Sequence, residues 1–174
     1  MIPTNFWVNF LIALVPMAVG SIYYGPLFGK LWQRESGVTD EQMANANMLK
    51  IFGLSYVYSV LFTTFLPSLV VHQTAIGGLF GMLPEFSVSG SELWQDLNQL
   101  DEKWGMYSRH LHFGHGALHG VAAAIFIVLP IICINGLFER KTWKYMLVHF
   151  GYWLISMALM GGLVCQFLKW PLPL

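Results

Sequence analysis

Apolar and polar positions along this chain fall in long blocks, without the two-residue alternation of a half-buried strand. Four blocks, 6–28, 49–71, 112–134 and 145–168, each reach the roughly 20 apolar residues that a helix needs to cross the hydrocarbon core of a bilayer. Backbone groups in lipid must be satisfied within their own segment, so helices are the only open-chain solution. The pattern predicts an all-α fold, a four-transmembrane-helix antiparallel bundle. MIPTNF carries no basic leader, and the residues after the first block lack a small-residue cleavage site, so that block reads as a retained helix. Gly25-Pro26 breaks its end, where Tyr23, Tyr24 and Trp32 suit the headgroup belt.

The segment between the second and third blocks, 73–109, is too long for a turn. Within it Ser89 and Glu92 have capping-box spacing, and Leu93, Leu97, Leu100 and Trp104 follow at helical spacing. This predicts a short amphipathic helix lying on the membrane surface or capping the bundle; a partner-docking helix is the alternative. No linker, repeat or low-complexity stretch divides the chain, so residues 1–174 read as one integral membrane domain.

Composition agrees with that class: 56% of the 174 residues are hydrophobic and only 10% charged, against about 25% charged in soluble domains. Nine basic and nine acidic side chains leave no excess for nucleic acid. Lys30, Arg34 and Lys50 follow the first block, and Arg140, Lys141 and Lys144 follow the third; the long loop is acidic. The positive-inside rule puts both basic loops in the cytoplasm and both termini, with the long loop, outside.

Chemistry concentrates in HLHFGHGALHG, residues 110–120. At about 100° per residue His112, His115 and His119 share an arc of about 60° on a helix, with His110 nearly opposite. His72 ends the second block at the same face and Cys165 lies near the outer end of the fourth, so His72, His112, His115, His119 and Cys165 form a candidate metal set, suited to zinc or copper. The interleaved Gly116-x-x-x-Gly120 is a close-packing pattern that would turn the rings inward. Structural histidines bonded to neighbouring helices are the competing account, and a b-type haem on His72 and His115 is a lesser one. His149 reads as a packed or hydrogen-bonded residue. Ser55, Ser59 and Thr63 form a hydroxyl stripe on the second helix, and Asn135 and Glu139 read as a helix cap and an ion-pair partner of Arg140 or Lys141. Cys133 and Cys165 fall at opposite ends and are expected to stay unpaired.

YYGPLFGKLW (23–32) and NGLFERKTW running on to GYWLISMALMGG (135–162) resemble the domain of unknown function 1761 family of short four-helix bacterial membrane proteins. The resemblance implies a multi-pass inner-membrane location and brings no activity or cofactor. No nucleophile–base pair, phosphate loop or His-Glu-x-x-His motif points to an enzyme. The leading expectation is a non-enzymatic protein whose outer histidines bind a transition metal or protons, for transport or sensing. An accessory subunit of a membrane complex, with a homo-oligomer or another membrane protein as partner, is the alternative, and a haem or metal enzyme is the third. The topology is tested by compartment reporters: one fused after Leu174 should be active only outside and one inserted near Thr142 only in the cytoplasm, and the reverse pattern would invert the assignment.

Overall fold

The computed structural model describes residues 3–170; Met1, Ile2 and residues 171–174 of the expected domain lie outside the described residues. All regular structure among the described residues is helical. Four helices are long and apolar enough to cross a membrane: Val8–Leu27, Met48–Phe65, Phe113–Phe138 and Trp143–Phe167, here spans one to four. The second stops earlier than the apolar pattern does, because Pro67 cannot donate to the helix ladder; a short turn, Pro67–Val70, carries the chain to His72.

Proline also shapes spans one and three. Around Pro26 the helix widens into a π-helical turn, Tyr23–Leu27, in which the Phe28 amide reaches back to the Tyr23 carbonyl at 2.8 Å. Another π turn, Ala124–Val128, precedes Pro130 in span three. A proline ring collides with the carbonyl four residues earlier, and the wider turn absorbs that collision.

Span four is the hub. It packs along span three and also against spans one and two's continuation, Pro67–Val70. Its buried face includes Met157, Met160, Gly161, Val164 and Cys165, which join Ile12, Leu66, Val70 and Ala124 in the main core. The contact with span three is made at backbone distance. A Cβ on Gly116 would overlap the Gly161 carbonyl and the Cys165 side chain, and one on Gly120 would overlap the Met157 carbonyl. Span two presents mostly apolar residues outward, including Leu54, Val57, Leu61 and Phe65, as a lipid-facing helix does. Of its hydroxyl stripe, Ser59 and Thr63 are buried and Ser55 is exposed; Thr63 donates back to the Ser59 and Val60 carbonyls at 3.0 Å.

Hydrogen bonds fix which segments share an end. At one end the Asn5 side chain donates to the Phe167 carbonyl and accepts from the Lys169 amide, both at 2.8 Å, tying the start of span one to the finish of span four. At the other, the Thr142 hydroxyl donates to Glu35 at 2.6 Å and the Lys141 ammonium to the Ser36 carbonyl at 3.2 Å, tying the two basic loops together. The Thr142 hydroxyl, with Arg34 beside it, holds the Glu35 carboxyl below the usual carboxylate range. Glu35 pairs with Arg34; the expected pairing of Glu139 with Arg140 or Lys141 is not formed among the described residues. Asn135 is likewise no cap; it lies inside span three, whose last turn closes on its carbonyl.

The long loop forms a cap at the histidine end. It contains short helices Thr74–Phe80 and Pro84–Ser87 and an amphipathic helix, Glu92–Trp104. That helix is capped by Ser91, whose hydroxyl accepts from Trp94, in place of the expected Ser89. Leu97 buries with Ile76 and Tyr107 in a small core of the cap's own, while Leu100 and Trp104 remain exposed.

The glycine contact gives a direct test. Gly120→Ala should cost about 1–3 kcal/mol, the usual penalty of overpacking, read as a lower thermal midpoint in detergent. Gly53→Ala, on span two where a Cβ meets nothing within 4 Å, should be neutral or slightly stabilising, as alanine favours helix by about 1 kcal/mol over glycine.

Candidate metal centre

The glycine seam sets the phase of span three, and with it the direction of the rings between its glycines. His115 and His119 stand beside Gly116 and Gly120 and are half-buried. His72, carried over by the Pro67–Val70 turn, meets them from span two. Its Nε2 lies 2.9 Å from Nε2 of His115, and its ring centroid is 4.8 Å from that of His119. His115 and His119 are themselves 4.5 Å apart.

His112 and His110 arrive by a different route, because the helix begins only at Phe113. His112 is the N-cap, with extended backbone, and its Nδ1 accepts from the His115 amide at 3.3 Å. His110 has φ of 66°, in the left-handed region where non-glycine residues are uncommon. That bend folds the chain back and stacks the His110 ring on His115 at 4.5 Å with 18° between planes. The expectation that His110 faces away is therefore corrected: helical phase does not apply to residues that precede the helix. Five histidines share one cluster.

Two side chains hold this bend: Gln73, which sequence reasoning missed, and Cys165, which it places among the candidate metal ligands. Gln73 is 4% exposed, and its amide donates to the Met106 and Arg109 carbonyls at 2.9 and 2.8 Å. The signal available was a polar residue next to His72 at the end of an apolar block. The Cys165 thiol donates to the His110 carbonyl at 3.4 Å. It is buried against span three, and neither of the two groups of donor nitrogens includes it. Those groups are His72, His115 and His119, and His110, His112 and His115, each with its donor atoms within 4.8 Å of one another. The cluster is thus all-nitrogen, with His115 common to both groups.

An ion with imidazole nitrogens at about 2.0–2.1 Å in tetrahedral array spaces them by roughly 3.4 Å, within the spread seen here. A haem does not fit between His72 and His115. Their nitrogens are in hydrogen-bond contact, and His110 and His119 pack around the pair, leaving no slot for a macrocycle. Beside the cluster a cavity of about 390 Å³ opens under the cap, lined by His72, Gln73, Leu100, Trp104, Met106, Arg109 and His110. It gives the outer face of the cluster access to solvent.

His149 stands apart, toward the other end of span four, hydrogen-bonded through Nδ1 to the Tyr24 hydroxyl at 2.8 Å. Cys133 and Cys165 are both free thiols.

A family model described as "Protein of unknown function (DUF1761)" matches residues 7–165. Comparison with curated proteins and with solved structures finds no match.

The cap beside the cluster carries its own titration. Burial, and then the Asp101 carboxylate, push the Tyr107 phenol up to about 12, and its hydroxyl is buried without a partner. An unfolded tyrosine ionises near 10, so the cap should lose stability as pH rises from about 10 through about 12. Alkaline unfolding followed by phenolate absorbance should show this loss, and Tyr107→Phe should shift it to higher pH.

Proposed function

Since the chain belongs to the DUF1761 family, whose description assigns no activity, its function has to be argued from its own chemistry, and we propose that it is a non-enzymatic multi-pass membrane protein that binds a transition-metal ion at the histidine cluster, for transport or sensing. The observation that carries this reading is the meeting of His72, just beyond span two, with His115 and His119 of span three, with donor nitrogens inside 4.8 Å. Ionisable side chains within membrane spans are costly and rare unless they serve a pathway or site. Here they are gathered on one another beside a solvent-accessible cavity.

Three imidazoles suit zinc or copper and leave a further coordination position open. An ion held by three neutral rings with an open side exchanges more readily than one in a closed four-ligand cage, which suits uptake, release or reporting of metal. The cluster runs inward from the exposed His72, His110 and His112 to His119, about 9 Å along the helix from Phe113 at 1.5 Å per residue. By the positive-inside rule the basic loops lie in the cytoplasm, so the cluster and cap face the outer side of a bacterial inner membrane.

Zinc and copper titrations of the purified chain in nanodiscs test the reading. His115→Ala removes a ligand common to both groups and should weaken binding most, by about tenfold or more; His72→Ala and His119→Ala should follow, with His110→Ala and His112→Ala smaller. Cys165→Ala should leave affinity unchanged. Binding needs neutral imidazole, with an unperturbed pKa near 6.5, so affinity should fall from pH 7.5 to pH 5.5. Equal binding by every variant, or binding by none including the wild type, refutes a metal site here.

A further inference from the structure

At the opposite end of the bundle the geometry points to a second binding site, for a small organic ammonium ion, in a cavity between the end of span three and the start of span four. The cavity is about 210 Å³, and its lining includes Ile132, Asn135, Glu139, Tyr145, His149 and Trp153. Two stretches that stand out in the sequence, 23–32 and 135–162, come together here: Tyr24 from the first holds His149 from the second. The histidine cluster uses neither of these.

Three features of the cavity agree on the sign and shape of the ligand. Glu139 is the only formally charged lining residue, and it has no ion-pair partner among the described residues. The rings of Tyr145 and Trp153 supply π faces and Ile132 an apolar wall, the surroundings that bind alkylammonium groups. His149 Nε2 is buried without a partner. In the tautomer whose Nδ1–H donates to the Tyr24 oxygen, Nε2 keeps a lone pair for an ammonium N–H.

The alternatives fit less well. No three-ligand metal group occurs at this cavity among the described residues, so a chelated ion lacks its donors. An anion would face Glu139. Lys141 is held outside the lining: its ammonium donates to the Ser36 carbonyl at 3.2 Å and rests 5.2 Å from the Tyr145 ring. The cavity lies level with the interface at the basic loops, so the ammonium can come from a free amine or from an aminophospholipid headgroup.

The test uses the full chain in detergent and n-butylammonium as probe, with n-butanol as its neutral counterpart, measured by calorimetry. Butylammonium should bind at least tenfold more tightly than butanol. Glu139→Gln, a change at an exposed side chain, should abolish that preference, and His149→Phe should weaken butylammonium alone. His115→Ala should leave it untouched, which separates this site from the metal reading. In phosphatidylglycerol nanodiscs, adding phosphatidylethanolamine raises the apparent Kd for butylammonium if the headgroup is the natural occupant and leaves it unchanged if a free amine is. Absence of butylammonium binding in detergent and in phosphatidylglycerol discs, equal affinity for butanol, or full affinity in Glu139→Gln overturns the proposal.

Discussion

The rest of the molecule depends on the backbone contact between spans three and four. Gly116 and Gly120 let the two helices approach until carbonyl meets Cα, and in lipid such close packing is a main source of helix association. The contact fixes the rotation of span three. Because His115 and His119 each precede one of these glycines, that rotation also aims their rings along the edge of the seam, where His72 reaches them. The same approach encloses Cys165, whose thiol turns to the carbonyls of Val70 and His110 and away from the nitrogen cluster.

Much of the fold was legible because membrane burial is written in composition. Block lengths placed the spans to within a few residues, except where Pro67 ends a helix that apolar residues alone would have continued. The glycine spacing identified the seam, since only small residues allow it. The site was legible only in part. Residues inside span three followed helical phase, but His110 precedes the helix, and its position comes from a left-handed backbone bend and from Gln73, 37 residues earlier in the chain. Nonlocal bonds of that kind leave no periodic trace. Ser91 displaced Ser89 as the cap for a similar reason: Ser91 also bonds the Glu85 carbonyl at 2.7 Å, a contact within the folded cap.

The two ends of the bundle differ in chemistry as well as charge. One holds five histidines under a cap with a small apolar core; the other holds basic loops tied by Glu35, Thr142 and Lys141, and an aromatic-lined cavity with Glu139. Span four connects them, with Cys165 at one end and His149 toward the other. The π turn of span three lies between these ends and that of span one at the cavity end; each lets proline interrupt a helix without leaving its backbone bare in lipid.

Span four is also the last of the four to be synthesised. Of the windows of apolar sequence it is the most enclosed, 39% buried against 11–22% for the others. The first three helices thus enter the bilayer without the neighbour that most of them pack upon. Until it arrives, the glycine faces of span three meet only lipid chains and the Asn5 side chain lacks its partners at Phe167 and Lys169. The packing of the bundle is therefore completed only when span four joins the other three.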